Sequence, residues 1–169
     1  YYVLRSFKRL LQYFEKITEE EQWEQESRLL LKNKQLSSEL INSFHTTWVV
    51  SGHRIRNQIA NDVMLVKLLK HVLPEYSGQN IVLFRGENKN KWNEKSLGFC
   101  WTPSIDIAHM FASGLNSVPN GGLLLECEFK SEWIISSPCA HSEYLGENEY
   151  TVNPLEISNV KVLEEFKPI

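Results

Sequence analysis

The fold is decided around the stretch LFRGE at residues 83–87, which stands inside an apolar run that favours β-structure. Alternation along this run places Ile81, Leu83 and Arg85 on one face of a strand. The arginine therefore stands at a strand end, and Gly86 directly after it would let a ligand approach the backbone closely. Because a guanidinium is permanently charged and matches oxyanions in shape, this stretch is a candidate anion site, although Arg-Gly also ends many ordinary strands.

Two later stretches supply hydroxyl and carboxyl groups. The first is FCWTPS at residues 99–104, a predicted strand that opens a helix containing AHMFA at residues 108–112. The second is a predicted strand from Glu147 to Val152, in which Glu147 and Glu149 would point to one face because they are two residues apart. Two carboxylates on one face can serve a single ligand, and two solvent-facing glutamates on an edge strand would show the same pattern.

Length and composition favour a single domain over residues 1–169. The chain is 42 % hydrophobic, which is enough for one core, and its net charge of −3 argues against a globally basic nucleic-acid binder. No apolar run approaches the roughly 18 residues of a membrane span, so no membrane partner is expected. The three cysteines lack metal-ligand spacing and indicate reduced thiols, which predicts a cytoplasmic protein.

The chain changes from helical to sheet-forming patterns near residue 75. Apolar stripes and capping residues predict helices over residues 3–17, 18–33, 38–50 and 61–73. Alternating runs predict strands over residues 81–85, 97–102, 123–129, 133–135, 147–152 and 160–166. These patterns predict an α+β fold in which an N-terminal helical part (residues 1–75) packs on a sheet-rich part (residues 79–169) with two small, mostly antiparallel sheets.

Other kinds of site are poorly supported by the sequence. The five histidines form no HExxH motif and no Cys/His set has zinc-finger spacing, so no metal is expected. There is neither a P-loop nor a GxGxxG motif. In the polar loop at residues 88–96, Trp92 among lysines could stack on a nucleic-acid base, or it could fold back on the core.

In this order, the arginine strand, the aromatic-hydroxyl strand with its Ala-x-x-Phe-Ala helix, and the late Glu-x-Glu resemble the ADP-ribosyltransferase superfamily. The resemblance is to the arginine–serine–glutamate class of bacterial toxin-like mono-ADP-ribosyltransferases, and it covers roughly residues 44–154. It implies an ADP-ribosyltransferase-like two-sheet core and NAD as a substrate. It also implies action in the cytoplasm of the producing or the target cell.

The resemblance assigns catalytic roles to four residues. Cleavage of the bond between nicotinamide and ribose develops positive charge on the sugar, which a carboxylate can stabilise. Glu149 would take that role and Glu147 would orient or deprotonate the acceptor. Arg85 would hold the phosphates or the nicotinamide-side ribose of NAD. Thr102 stands where the family has a Ser-Thr-Ser strand that positions the catalytic carboxylate, and a threonine bonded to backbone is the alternative.

The resemblance also implies which residues would contact NAD. These are Arg85, Gly86, Trp101, Thr102 and Phe111, with the Gly86 backbone offered to the nicotinamide amide. The literal Ser-Thr-Ser triplet is missing, since Trp101 and a proline flank Thr102. For Phe111, a core position on its helix is the competing interpretation.

The expected function is transfer of ADP-ribose from NAD to a macromolecular acceptor, either a protein side chain or RNA or DNA. A bacterial toxin of this kind would need an antitoxin or immunity protein as a partner. Two alternatives remain at the level of sequence. One is an NAD glycohydrolase, with water as the acceptor, and the other is a non-catalytic module that binds NAD or a partner chain.

Overall fold

A computed structural model describes residues 2–169, with the side chains of residues 2 and 3 outside the description. Val3, part of the predicted apolar stripe, therefore lies outside the described side chains. The chain divides into two compact units. The first runs to Glu75 and includes Cys139–His141, and the second comprises Tyr76–Pro138 with Ser142–Ile169. The α+β prediction is confirmed, and the prediction of a single domain stays a prediction.

Helices make up the first unit up to Glu75. They are α1 (Tyr2–Glu19), α2 (Trp23–Lys32), α3 (Ser38–Ile59) and α4 (Asp62–Val72). Ser37 and Asn61 cap α3 and α4 by accepting backbone N–H groups with their side chains. Phe14, Trp23 and Phe44 form the aromatic centre of this unit, with ring centroids 5.6 to 5.9 Å apart.

Two helix boundaries differ from the sequence prediction. Thr18 does not begin α2, because its hydroxyl donates to the Phe14 carbonyl within α1 and accepts the Trp23 indole N–H. Helix α3 does not end near Val50, because only Ser51 leaves helical geometry and the helix continues beyond this kink. At Thr18 these side-chain bonds outweigh the local capping signal.

The second unit contains two antiparallel sheets and three short helices along its part of the chain. The strands are β1 (Ile81–Asn88), β2 (Cys100–Trp101), β3 (Gly122–Phe129), β4 (Ile134–Ser136), β5 (Tyr150–Val152) and β6 (Lys161–Phe166). The helices are α5 (Lys89–Asn93), α6 (Ile105–Ser113) and α7 (Ala140–Tyr144), of which α7 begins in the segment assigned to the first unit. One sheet has the order β1-β3-β6 and the other β2-β5-β4. Every pairing between these strands is antiparallel.

A single backbone bridge connects β1 with the residue after β2. The Phe84 N–H donates to the Thr102 carbonyl at 2.7 Å, and the Thr102 N–H donates back to the Phe84 carbonyl at 2.9 Å. This bridge brings the residue after Phe84, which is Arg85, beside the end of the second sheet. The two sheets therefore meet where the sequence placed its candidate site.

Helix α6 packs against the sheet that contains β1. Its Ala108 and Ala112 contact Leu124, and the backbone of Gly86 lies directly against the helix. A Cβ atom on Gly86 would stand 2.4 Å from the Ala108 carbonyl oxygen and from the Ala112 nitrogen. The sequence predicted that a ligand would approach this glycine closely, and in the structure the backbone of α6 does so.

Within residues 2–169, no helix combines the length and apolar character needed to cross a membrane. The same residues contain no group of three or more His, Cys, Asp or Glu side chains arranged to hold a metal ion.

Candidate active site

The second unit contains a cavity of about 140 Å³ beside the middle of β1, at Phe84, Arg85 and Gly86. The prediction that Arg85 stands at a strand end is wrong, because the pairing of β1 with β3 continues beyond it to Asn88. Its lining residues are Phe84, Arg85, Gly86, Cys100, Thr102, Ile107, Ala108, Phe111, Leu115, Asn116 and Glu149. Five of the predicted site residues are in this lining, and two, Trp101 and Glu147, are not. Pockets that enclose a drug-sized ligand are usually about 300 Å³ or more. This cavity would therefore hold one ring-sized part of a larger ligand.

Arg85 is held on both sides of its guanidinium. Its Nε donates to Glu87 Oε2 at 2.6 Å and its Nη2 donates to Glu87 Oε1 at 3.4 Å. Its Nη1 donates to the Cys100 carbonyl at 2.7 Å. Among the described residues these bonds leave further N–H groups of the two terminal nitrogens for the cavity. The arginine is thus a pre-oriented cation that lines the cavity.

Glu87 is the buried anion of this pair and is only 2 % exposed. Besides Arg85, it accepts the N–H groups of Gly98 at 2.8 Å and Asn88 at 2.9 Å. Burial alone would raise the pKa of Glu87, but the charge and hydrogen bonds of Arg85, with these two N–H groups, lower it below its usual range. The carboxylate therefore stays ionised and holds Arg85 in one orientation.

Sequence reasoning did not single out Glu87. Its spacing from Arg85 could have identified it, because Arg85 and Glu87 are two residues apart on the strand face that also carries Leu83. Since Leu83 is fully buried, a charged residue on the same face needs a partner of opposite charge.

Thr102 lines the cavity, but its hydroxyl is used locally. The hydroxyl accepts the backbone N–H of Ser104 at 3.1 Å, at the entrance of α6. This is the alternative considered from sequence, a strand-end threonine bonded to backbone. The hydroxyl hydrogen can still be donated towards the cavity.

The glutamate segment, residues 147–149, is not a strand. Asn148 has a left-handed backbone with φ 46°, and the strand β5 begins only at Tyr150. The prediction that Glu147 and Glu149 share one strand face is therefore wrong. The left-handed residue between them turns the chain, so that Glu149 lines the cavity and Glu147 does not.

Glu149 brings a carboxyl group with a raised pKa into the cavity lining. Burial raises the pKa of Glu149 to about 7, the nearby Glu147 carboxylate adds to the increase, and Arg85 opposes it. Near neutral pH this carboxyl group is thus divided between its protonated and ionised forms. Carboxyl groups with such a pKa are frequent in catalytic sites, because they can exchange a proton or balance a developing positive charge.

Two tryptophans considered as ligand contacts, Trp101 for NAD and Trp92 for a nucleic acid, pack in or against the core. Trp101 is 1 % exposed, packs edge-on against Phe129 with ring centroids 5.1 Å apart, and donates its indole N–H to the Gly98 carbonyl. It therefore supports β2 and offers no surface to a ligand. Trp92 lies in α5, where the sequence predicted a polar loop, and its partly buried side chain packs against the core that contains Trp101, as in the folded-back alternative. Phe111, by contrast, is in the cavity lining.

Comparisons of the chain with protein-family models, with curated proteins and with solved structures found no match. The site is accordingly interpreted from its own chemistry. It combines a fixed guanidinium, a carboxyl group with a raised pKa and an aromatic wall formed by Phe84 and Phe111. Such a set can hold an anionic group at Arg85 while Glu149 faces a centre that becomes positive.

Proposed function

We propose that this chain is an NAD-dependent mono-ADP-ribosyltransferase that modifies a macromolecular acceptor. The observation that carries the proposal is the presence of Arg85 and Glu149 in one cavity, although Arg85 lies in β1 and Glu149 precedes β5, far apart in sequence. The resemblance of the three sequence stretches to the arginine–serine–glutamate class supports the same conclusion.

In the proposed reaction the bond between nicotinamide and the ribose anomeric carbon breaks, and its electron pair leaves with the nicotinamide. The positive charge left on the ribose is stabilised by the ionised carboxylate of Glu149. Arg85 binds the phosphates or the ribose through the edge of its guanidinium that faces the cavity. In this proposal the nicotinamide end of NAD enters the cavity beside Phe111, and the adenosine end lies outside it.

The acceptor, a protein side chain or a nucleic acid, then forms a bond to the anomeric carbon and loses a proton. The charge of Glu147 acts on Glu149. The Glu147 carboxylate is therefore close enough to the site to assist an acceptor that approaches from outside the cavity. A bacterial toxin that works in the cytoplasm of the producing or the target cell, with an antitoxin or immunity protein as its partner, is part of this proposal.

A second candidate function is NAD glycohydrolase activity. It is favoured by the position of Glu147, which is absent from the cavity lining, since a general base directed at a macromolecular acceptor would be expected beside the reacting carbon. In that case water takes the place of the acceptor, and free ADP-ribose is the product.

The test is incubation of the protein with NAD labelled in its adenylate phosphate, together with a bacterial lysate. Label released by protease indicates a protein acceptor, label released by nuclease indicates RNA or DNA, and free ADP-ribose alone indicates hydrolysis. Glu149→Gln should abolish nicotinamide release, whereas Glu143→Gln, the same change at an exposed glutamate of α7, should not. Absence of nicotinamide release by the wild-type protein would overturn both candidate functions.

A further inference from the structure

Ser142, in α7, is hydrogen-bonded to every backbone N–H group of the glutamate segment. Its carbonyl accepts the N–H groups of Glu147 at 3.1 Å and Asn148 at 3.3 Å. Its hydroxyl accepts the N–H group of Glu149 at 2.9 Å. Ser142 is also fully buried, so its own position is fixed by the surrounding core. One buried residue thus determines where the backbone of both glutamates lies.

The three bonds differ in what they require of residue 142. A carbonyl is present whatever the side chain, so the bonds to Glu147 and Asn148 do not depend on serine. The bond from the Glu149 N–H group depends on the hydroxyl. Glu149 is also the last residue before the ladder of β5 with β2, which begins at the pair Tyr150–Trp101. The side chain of Ser142 therefore matters specifically for the residue that lines the cavity.

We propose that Ser142 is the positioning residue for Glu149, and that its hydroxyl keeps the Glu149 carboxyl group inside the cavity. The inference rests on the proposed function in so far as Glu149 is the catalytic carboxylate. A displacement of about 1 Å at a reacting group can reduce a rate by roughly 100-fold, so a single backbone hydrogen bond at this place is enough to matter.

The environment of Glu149 provides a readout that a merely structural serine would not change. Besides burial, the charges that act on the Glu149 carboxyl group are those of Glu147 and Arg85, and Cys100 lines the same cavity. If the Glu149 backbone is released, its carboxyl group moves towards water and the burial that raises its pKa is relieved. The pKa of Glu149 should then fall from about 7 towards its ordinary range.

The experiment compares Ser142→Ala with Ser136→Ala. Ser136 is a matched control, because it is equally buried in the same unit and its hydroxyl has no hydrogen-bond partner among the described residues.

The pKa of Glu149 is measured from the ¹³C shift of its carboxyl carbon, without NAD. We expect Ser142→Ala to lower it by about one pH unit or more. We also expect kcat for nicotinamide release to fall by about 10- to 100-fold, with KM for NAD within about threefold. Ser136→Ala should change none of these quantities.

A folded Ser142→Ala protein with an unchanged Glu149 titration and unchanged kcat would overturn the proposal. Should that variant not fold, Ser142→Cys provides a second variant, in which a weak acceptor replaces the hydroxyl and the same direction of change is expected. Amide hydrogen exchange of the wild-type protein gives a check that needs no substitution. The Glu149 amide should be protected, and exchange at the rate of an open amide would contradict the bond to Ser142.

These measurements separate the inference from the proposed function. The titration and the amide exchange require no substrate, so they report on Ser142 even if the wild-type protein does not cleave NAD. A shifted titration without activity would support Ser142 as the positioning residue while refuting the transferase. If the wild-type protein releases nicotinamide and Ser142→Ala keeps both the Glu149 titration and kcat, the result would support NAD cleavage and refute the positioning role of Ser142.

Discussion

At the scale of single residues, the site depends on how Glu87 holds Arg85. The pair is joined by two hydrogen bonds, and the carboxylate is completed by the Gly98 and Asn88 N–H groups. A lysine in place of Arg85 would keep the charge but could not make the planar, two-pronged contact with Glu87. The spacing of Arg85 and Glu87 within β1 therefore fixes the orientation of the guanidinium in addition to supplying its charge.

Glu87→Gln should lower the free energy of unfolding by about 2–3 kcal/mol, because it removes the negative partner of a mostly buried cation. It should also weaken NAD binding, since the guanidinium loses its fixed orientation. Urea denaturation and calorimetric NAD titration measure the two effects. Glu94→Gln, at an exposed position after α5, is the control. An unchanged urea midpoint for Glu87→Gln would show that the pair contributes nothing to folding.

Because of Glu149, the proposed activity and the stability of the protein should depend on pH in opposite directions. Its pKa of about 7 lies above that of the unfolded chain, so between about pH 4.5 and 7 the folded state binds more protons than the unfolded state. The free energy of unfolding therefore decreases as pH rises through this range. The proposed reaction needs the ionised form, so nicotinamide release should increase with pH and level off above about pH 7.

Glu149→Gln should accordingly stabilise the protein at pH 8, by about 1 kcal/mol or more, while abolishing nicotinamide release. Thermal unfolding and release assays across pH 5–9 give both results. Retained turnover in a folded Glu149→Gln protein would exclude Glu149 as the group that stabilises the ribose cation.

At the scale of elements, α6 and β1 lie close together and form one wall of the cavity. Gly86 lies against the backbone of α6 at Ala108 and Ala112, and the neighbouring helix residues Ile107 and Phe111 line the cavity. The Asn116 side chain donates to the Gly86 carbonyl at 2.7 Å and fastens the segment after α6 to the same strand. The distance between helix and strand therefore determines the width of the site.

Gly86→Ala should destabilise the protein by about 3 kcal/mol, because the added methyl group meets backbone atoms that cannot move aside as a side chain would. Gly146→Ala is the control. A Cβ atom on Gly146 would meet nothing within 4 Å. Because φ at this position is 75°, the variant should lose only the roughly 1 kcal/mol that an alanine costs in a left-handed conformation. Calorimetric unfolding distinguishes the two, and equal losses would show that α6 can shift away from β1.

At the scale of the whole molecule, a buried histidine in the first unit should limit stability in acid. His45 lies in α3, and its Nε2 has no hydrogen-bond partner among the described residues. Burial lowers its pKa to about 4, below its value of about 6.5 in an unfolded chain. The unfolded state therefore binds the proton first, and the contribution of His45 to stability falls as pH decreases from about 6.5 to 4. Between about pH 4.5 and 6.5 this contribution and the opposite one of Glu149 offset each other, so the two groups together give a broad stability maximum in that range.

His45→Leu should remove much of the acid sensitivity, because leucine cannot take up a proton in the unfolded state. The exposed His53→Leu on the same helix should leave the pH dependence as it is in the wild type. Urea denaturation between pH 4 and 8 tests the pair. If both variants lose stability in acid as steeply as the wild type, groups other than His45 cause the acid sensitivity.

The sequence by itself determined the succession from helices to short antiparallel strands, and it singled out Arg85 and Glu149. Periodicity, capping and strand ends depend on neighbours along the chain, so they can be interpreted locally. The boundary at Thr18 shows the limit, because its hydroxyl accepts a hydrogen bond from the indole of Trp23 as part of the packing between two helices.

Only the tertiary structure decided which side chains share the cavity. The departure of Glu147 from the predicted strand has a local cause, because its N–H group bonds to the carbonyl of Ser142 at the end of α7, beside the left-handed Gly146. By contrast, the burial of Glu87 against Gly98, the bond from the Glu149 N–H group to the Ser142 hydroxyl and the core position of Trp101 join residues that no short pattern relates. Such contacts form only when the whole second unit is packed, and their free energies come from burial and charge pairing across that packing.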